Sequence, residues 1–235
     1  MMDLKTKIFA DGADLQTIKL LKKNQLIKGF TTNPTLMRKA GVDNYEAFSK
    51  DVLNIIENLP VSFEVFADDL YDMERQARII ASWGSNVYVK IPIMNTKGEF
   101  TSPIIKSLSF DGIPLNITAL MTLQQVEKVL ASLSSETPSI ISVFAGRIAD
   151  TGIDPLPTMV SCLSLLQENK LSELLWASPR EVLNIYQADK INCPIITVGN
   201  DLLDKLNLYG KNLETYSRET VSMFHQDAVS SAYSI

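Results

Sequence analysis

A lysine stands in the middle of a segment that otherwise reads as a buried strand. In residues 86–93, NVYVKIPI, apolar and β-branched residues surround Lys90. An ammonium group is rarely buried without a partner, and an apolar environment favours the neutral amine. A neutral lysine can attack a carbonyl group and form a Schiff base. The sequence therefore indicates covalent chemistry on Lys90.

Two carboxylates could serve this lysine, and each also has a purely structural interpretation. Glu64 lies in the candidate strand before that of Lys90 and could shuttle the proton that Schiff-base formation requires. It could equally form a structural ion pair with Lys90, and the two interpretations are compatible. Asp11 ends another candidate strand and could act as a general base, or it could be a turn carboxylate, since Asp-Gly is common turn chemistry.

The composition excludes several other kinds of site. His225 is the only histidine, which argues against Ser-His-Asp and Cys-His catalysis and against zinc sites that need two histidines. Cys162 and Cys193 form no C-x-x-C pair. The glycines have neither the dinucleotide-binding nor the P-loop spacing, so nothing in the sequence indicates a dinucleotide or a nucleoside triphosphate.

The chain of 235 residues is predicted to be soluble and cytoplasmic. Its 22 basic and 27 acidic residues give a net charge of -5 without a local Lys/Arg cluster, so no nucleic-acid partner is expected. No apolar run of 18 residues predicts a membrane span, and Asp11 and Asp14 precede any long apolar run, which argues against a signal peptide. Two cysteines without a disulfide framework fit a reducing compartment.

Short apolar runs alternate with amphipathic stretches along the chain without an intervening linker. The eight candidate strands are 7–12, 29–33, 61–67, 87–93, 113–120, 139–146, 173–178 and 193–199. Eight strand-helix repeats in about 200 residues predict a single-domain (β/α)8 TIM barrel over residues 1–210. A doubly wound open sheet is the alternative, although it usually has a glycine-rich turn after its first strand.

Helices are predicted between the strands and beyond the last one. Clear examples are 71–83, 122–133 with Thr122 as its cap, and 180–189 with Ser178 as its cap and Pro179 at the first helical position. The tail, residues 211–235, is not needed to close a barrel. Its apolar side chains predict an extra C-terminal helix that packs on another surface.

Polar residues recur on one face of the candidate strands. In seven strands a polar residue lies in the middle or C-terminal part, namely Asp11, Asn33, Glu64, Lys90, Asn116 with Thr118, Ser142 and Ser178. In a parallel barrel all seven would meet at the C-terminal mouth, where such folds keep their active sites. Taken singly, Asn33 could be a turn or cap residue, and Thr118 a residue that simply favours a strand.

Four motifs resemble those of a known family. They are F-T-T-N-P-T-L at 30–36, V-K-I-P at 89–92, N-I-T at 116–118 and S-V-F-A-G-R at 142–147. Together they resemble the transaldolase family, especially its short-chain members related to fructose-6-phosphate aldolase, and the similarity runs from Asp11 into the tail. The family fold is a (β/α)8 barrel with a Schiff-base lysine on strand 4, which agrees with the strand pattern.

The resemblance implies a role for each residue of the constellation. Lys90 would form an imine with the C2 ketone of a ketose phosphate, and Asp11 would take the C4 hydroxyl proton. Glu64 and Thr118 would hold the water that moves protons during imine formation and hydrolysis. The substrate itself would be held by Asn33, Asn116 and Ser142 at its hydroxyls and by Arg147 at its phosphate. No metal or organic cofactor is needed.

At one position this chain departs from the usual family pattern, and at two others it differs from the related aldolases. After strand 7 the family usually has serine, an aromatic residue and a basic residue, whereas this chain reads Ser178-Pro179-Arg180. Arg180 could be a second phosphate ligand, or it could belong to the helix start with that ligand missing. The related aldolases usually have glutamine in place of Glu64 and tyrosine in place of Phe144, so this chain has the pair typical of transaldolases. Phe144 could also be simply a core residue.

These observations predict a transaldolase that transfers a dihydroxyacetone unit from sedoheptulose 7-phosphate or fructose 6-phosphate to an aldose phosphate. The alternative within the family is an aldolase that releases free dihydroxyacetone. A different class of protein is also open, a barrel that binds sugar phosphates for regulation without catalysis. Short-chain members of the family form decamers in which C-terminal helices reach a neighbouring subunit. The resemblance therefore also implies a homo-oligomer, a decamer, held partly by the tail.

Overall fold

Eight parallel strands close into a barrel in the computed structural model, which describes residues 4–232. The strands are β1 Lys7–Asp11, β2 Ile27–Thr31, β3 Val61–Glu64, β4 Val87–Pro92, β5 Leu115–Leu120, β6 Ser139–Val143, β7 Ser172–Trp176 and β8 Ile195–Gly199. Each strand pairs with the next one along the chain, and β8 pairs with β1 to close the barrel. The predicted (β/α)8 fold is thus confirmed.

Helices surround the strands, and some connections contain two of them. They are α1 Leu15–Leu21, α2 Pro34–Lys39, α3 Tyr45–Ile56, α4 Leu70–Ala81, α5 Ser102–Phe110, α6 Leu123–Leu130, α7 Ala145–Asp150, α8 Leu156–Leu166, α9 Leu183–Lys190, α10 Asn200–Leu203 and α11 Leu213–Ser230, with a 3-10 helix at Asp204–Leu208. The extra helix predicted at the C-terminus is α11. Within the described residues, no helix is long and apolar enough to cross a membrane.

The strand interiors are as predicted, but several ends differ because side chains start the next element. The sequence pattern extends the second strand to residue 33, yet the strand ends at Thr31. Asn33 instead caps α2, since its side-chain oxygen accepts the N–H of Leu36 at 3.0 Å and Pro34 takes the first helical position. At α6 the predicted cap is confirmed, because Thr122 and Gln125 form a reciprocal capping box.

The predicted cap at Ser178 is wrong. Helix α9 begins only at Leu183, and Ser178 has a φ of 58°, in the left-handed region. The N–H groups of Arg180 and Glu181 donate to the side-chain oxygen of Asn184 at 2.7 and 3.2 Å. These donors are therefore satisfied in a loop, and the segment has no need to begin a helix at Pro179.

Two apolar clusters lie on opposite sides of the strands, as the period-two pattern requires. The larger cluster joins the outward faces of the strands to the helices and includes Ile8 and Ala10. The smaller one lies inside the barrel and includes Phe9, which alternates with them on β1. A Cβ atom at Gly29 would lie 2.6 Å from the ring of Phe9, so only glycine on β2 lets this ring fill the interior. The barrel is therefore plugged below its polar layer.

Candidate active site

A cavity of about 480 Å³ opens at the C-terminal ends of the strands. Ten of the eleven residues that the sequence singled out line it, namely Asp11, Asn33, Glu64, Lys90, Asn116, Thr118, Ser142, Phe144, Arg147 and Ser178. Arg180 is not among the lining residues. The parallel barrel thus brings together side chains that are up to 167 positions apart, from Asp11 to Ser178.

The amine of Lys90 is held in the cavity wall by two oxygen atoms. Its Nζ lies 3.0 Å from Oε2 of Glu64 and donates to the backbone oxygen of Thr32 at 3.1 Å. The ion pair follows from the β3–β4 register, which sets Glu64 directly beside Lys90. Since the side chain of Lys90 is only 9% exposed and that of Glu64 only 18%, little water screens this pair. A proton acceptor therefore lies within hydrogen-bond distance of the amine.

Glu64 is in turn fixed at its backbone by an aromatic residue. Tyr45, the first residue of α3, donates its hydroxyl proton to the backbone oxygen of Glu64 at 2.9 Å. Burial raises the pKa of Tyr45 well above its usual range, and the nearby charge of Glu64 raises it further. The phenol consequently stays protonated and remains a donor at neutral pH.

Asp11 lies at the C-terminal end of β1 and shares the cavity with Lys90. Burial raises the pKa of Asp11, while the charge of Lys90 and a hydrogen bond from Thr31 act in the opposite direction. The hydroxyl of Thr31 donates to Oδ1 of Asp11 at 2.7 Å. A carboxylate with a raised pKa accepts a proton more readily than an exposed one, which suits a general base.

An amide network crosses three strands at the same level. The side-chain nitrogen of Asn116 donates to Oγ of Ser62 at 2.9 Å, and its oxygen accepts the hydroxyl proton of Ser142 at 2.7 Å. Both partners are buried, so the amide is fixed in orientation. One N–H of Asn116 and the lone pairs of the Ser142 hydroxyl stay available to a bound hydroxyl group.

Thr118 sits where β5 departs from regular geometry. The β5–β6 register shifts between Ile117 and Leu120, and Ala119 has a φ of 65°. Within the described part of the chain, the buried hydroxyl oxygen of Thr118 has no hydrogen-bond partner. Because it lines the cavity, it can bind a water molecule or a substrate hydroxyl there.

A cation lies at the rim of the cavity. Arg147, in α7, is exposed, and among residues 4–232 it forms no ion pair. Its guanidinium carbon lies 5.9 Å from the centroid of the Phe144 ring, within the range of a cation–π contact. Before it in sequence, Gly146 lets Ser178 approach, since a Cβ atom at Gly146 would lie 1.5 Å from the Ser178 carbonyl oxygen. Arg147 is therefore available to a bound anion.

Arg180 does not line this cavity and instead binds a carboxylate. Its guanidinium pairs with Asp150 at the end of α7, with 3.0 Å between Nε and Oδ1. Both side chains are about half exposed, at 47% and 49%. The structure thus gives Arg180 a role that neither sequence-based interpretation contained, because it is neither in the cavity wall nor in a helix.

Two threonines in the cavity wall were not among the residues predicted from the sequence. Thr31 on β2 binds Asp11, and its hydroxyl also shares a hydrogen bond with that of Thr197 on β8. Thr197 gave the same signal as the other polar residues, since it interrupts the apolar run of the eighth candidate strand. Among the described residues, no group of three or more His, Cys, Asp or Glu side chains could hold a metal ion.

Known proteins resemble this chain over most of its length. The family described as Transaldolase/Fructose-6-phosphate aldolase matches residues 8–235. A probable transaldolase of Dehalococcoides mccartyi is 33% identical over 193 residues, which cover 82% of this chain and 86% of that protein. The probable transaldolase 2 of Listeria monocytogenes is 33% identical over 201 residues, which cover 85% and 88%.

Solved structures with little sequence identity share the fold. A dihydrodipicolinate synthase from Rhodopseudomonas palustris superimposes with a TM-score of 0.59 at 14% identity, over 95% of this chain and 79% of that one. An N-acetylneuraminate lyase from Mycoplasma synoviae gives 0.57 at 12% identity, over 96% and 81%. At these identities the likeness concerns the barrel alone.

Replacing Asp11 by asparagine should leave the protein at least as stable as the unmodified chain at pH 7. Because the pKa of Asp11 is raised, ionising its carboxylate opposes folding. The stability of the unmodified protein relative to Asp11→Asn should be greatest below the ordinary pKa of 3.8 and should fall as the pH rises through the raised pKa. Urea unfolding between pH 4 and 8 measures this difference.

Asp43→Asn, at an exposed carboxylate, is the control for the loss of one negative charge. If the stability of Asp11→Asn measured relative to the unmodified protein fell with rising pH, burial would not be the dominant effect on the pKa of Asp11.

Proposed function

The chain belongs to the transaldolase/fructose-6-phosphate aldolase family of enzymes, and we propose that it is a transaldolase acting on sugar phosphates. The proposed reaction moves a dihydroxyacetone unit from sedoheptulose 7-phosphate or fructose 6-phosphate to an aldose phosphate. One observation carries the proposal, the pair of buried Lys90 and largely buried Glu64 at 3.0 Å in a cavity that also contains Asp11. A site that only bound sugar phosphates would gain nothing from a buried nucleophile next to a proton acceptor.

The reaction begins with attack of the Lys90 amine on the C2 carbonyl of the ketose. The amine must be neutral to attack, and Glu64 is placed to take its proton. The carbinolamine then loses water and becomes an iminium ion, which requires a proton at the departing hydroxyl. The hydroxyl of Thr118 is available to hold the water that exchanges protons with Glu64.

Cleavage follows from the positive charge of the iminium ion. Asp11 takes the proton of the C4 hydroxyl, and the electrons of the C3–C4 bond flow towards the iminium nitrogen. An aldose phosphate leaves, and a neutral enamine remains on Lys90. When an acceptor aldehyde binds, the enamine attacks it, Asp11 returns the proton to the new hydroxyl, and hydrolysis frees the amine.

The remaining cavity residues are proposed to hold the substrate. Asn116 and Ser142 have bonding capacity left towards the hydroxyls of the dihydroxyacetone unit. The side-chain oxygen of Asn33 caps α2, which leaves its NH2 group for a third hydroxyl. Arg147 at the rim would bind the phosphate. Ser178 lies beside it in the wall, whereas Arg180 would have to leave Asp150 before it could contribute.

Sodium borohydride should trap the proposed intermediate on Lys90. With fructose 6-phosphate present, the unmodified protein is expected to gain an adduct of dihydroxyacetone mass on Lys90, measured by peptide mass spectrometry. Lys90→Ala should give no adduct and should abolish both transfer and release of dihydroxyacetone, because no other amine lines the cavity among the described residues.

Lys7→Ala provides the matched control. Lys7 also pairs with a glutamate, Glu173, but this pair lies at the N-terminal ends of β1 and β7, and the cavity lies at the C-terminal ends. This variant should keep the adduct on Lys90. Binding of fructose 6-phosphate without any adduct in the unmodified protein would favour the regulatory barrel over the enzyme.

Phe144→Tyr should shift the reaction from transfer towards release of dihydroxyacetone. The enamine waits for an aldehyde when no acid lies near its nucleophilic carbon, and Phe144 supplies no proton from its place in the cavity wall. A tyrosine hydroxyl could protonate the carbon directly or through a water molecule. Since a placed acid contributes about 10²–10⁴-fold, the ratio of release to transfer should rise at least about tenfold.

Coupled assays with and without an acceptor aldehyde measure this ratio, and Phe110→Tyr, at an exposed position on α5, is the control. If the unmodified protein already releases dihydroxyacetone as fast as it transfers it, the protein is an aldolase rather than a transaldolase.

We further propose that the protein is a homo-oligomer, a decamer, in which residues 211–235 pack on a neighbouring subunit. No residue of α11 is buried in the single chain, although the helix carries several large apolar side chains. These are Leu213, Tyr216, Val221, Met223, Phe224 and Val229, each at least 42% exposed. An apolar surface of this kind usually marks an interface.

Light scattering at working concentration should therefore give the mass of ten chains. Val221→Asp and Phe224→Asp should lower this mass, because a buried unpaired carboxylate opposes association. Ser222→Asp, which adds the same charge to the same helix at a polar position, should change it less. A monomer mass for the unmodified protein would refute the proposal.

A further inference from the structure

A row of hydroxyl groups leads away from Asp11 across the closure of the barrel. Strand β1 lies between β2 and β8. Thr31 on β2 lies directly beside Asp11, and Thr197 on β8 lies beside Phe9, two residues before Asp11 on the same face of β1. The Thr31 hydroxyl donates to Oδ1 of Asp11 at 2.7 Å. Oγ1 of Thr31 is also in hydrogen-bond contact with Oγ1 of Thr197. The two threonine residues are only 3% and 8% exposed.

The number of protons fixes the direction of these bonds. A threonine hydroxyl has one proton and two lone pairs. When Asp11 is ionised, the Thr31 proton points to its carboxylate, so the contact with Thr197 forms only if Thr197 is the donor. When Asp11 is protonated, it can donate to Thr31, which then donates to Thr197. The same three groups thus form hydrogen bonds in both protonation states.

We propose that Thr31 and Thr197 form a hydroxyl relay that orients the Asp11 carboxylate and reverses its hydrogen bonds when Asp11 accepts the substrate's proton. The inference rests on the proposed function, in which Asp11 takes and returns one proton per cycle. Thr31 and Thr197 are positioning residues in this scheme, because they act on the substrate through Asp11. The proton itself stays on Asp11 and no reactant is consumed, since only the hydroxyl orientations change.

Thr31 is one of three influences on the Asp11 carboxylate, together with burial and the charge of Lys90. The charged groups that face it across the cavity are Lys90, Glu64 and Arg147. Burial raises the pKa of Asp11, and both the charge of Lys90 and the hydrogen bond from Thr31 lower it. Because burial of Thr31 limits access of water, a valine there would leave the carboxylate without a replacement donor.

The pH dependence of cleavage tests the relay. With Thr31→Val, the acidic limb of kcat/KM for cleavage of fructose 6-phosphate should move to higher pH by about one pH unit, because a hydrogen bond to a charged group is lost. Thr31→Ser should restore the limb, since the hydroxyl returns. Thr197→Val should shift it less, because Thr31 keeps its own proton for Asp11. At a pH above the acidic limb, where Asp11 is ionised in every variant, borohydride trapping on Lys90 should be unchanged in all three variants.

A second measurement needs no activity and so separates failure of the relay from failure of the proposed function. Urea unfolding from pH 4 to 8 gives the coupling between Thr31→Val and Asp11→Asn in a double-mutant cycle. The coupling should grow with pH, because Thr31 stabilises the ionised carboxylate, and the Asp11→Asn variant has no carboxylate to ionise. The relay is overturned if the coupling is independent of pH, if the acidic limb of Thr31→Ser matches that of Thr31→Val, or if Thr31→Val loses the adduct on Lys90.

Discussion

The ion pair between Lys90 and Glu64 is the interaction on which the rest of the site depends. Neither charge would be stable alone in a barrel wall, and removal of one partner from a buried pair typically costs about 3–5 kcal/mol. The β3–β4 register sets the two residues side by side, while Thr32 and Tyr45 bind the amine and the glutamate backbone. The strands therefore position the amine more tightly than a flexible loop could.

The apolar interior of the barrel, below the Lys90–Glu64 pair, confines the cavity to the C-terminal end of the barrel. Phe9 fills the barrel because Gly29 leaves room for its ring, and the inner cluster continues through Ile140 and Leu175. Above this apolar layer, the alternating positions become polar and line the cavity. A closed floor with a polar layer above it keeps substrate and protons on the C-terminal side, and it lowers the local dielectric around the charged pair.

The parts of the structure that follow from local periodicity could be predicted from the sequence. Strand interiors and the cavity residues on strands, such as Glu64, Lys90 and Asn116, are of this kind, because alternation and the shared direction of parallel strands determine them. Phe144 and Arg147 were identified through the family resemblance instead. The start of α9 could not be predicted, because Gly146 and Asn184 shape the loop after Ser178 through contacts that no local pattern shows. The pairing of Thr31 with Thr197 likewise depends on barrel closure, which places β2 and β8 on either side of β1.

The ion pair of Arg180 with Asp150 has an electrostatic consequence for the cavity rim. Asp150 lies three residues after Arg147 on α7, a spacing that places two side chains on the same face of a helix. An uncompensated carboxylate there would compete for the Arg147 guanidinium and repel an incoming anion. Because Arg180 neutralises Asp150 from outside the cavity, Arg147 keeps its charge directed at the rim. In the proposed reaction, Arg180 would thus favour phosphate binding at Arg147 without touching the phosphate.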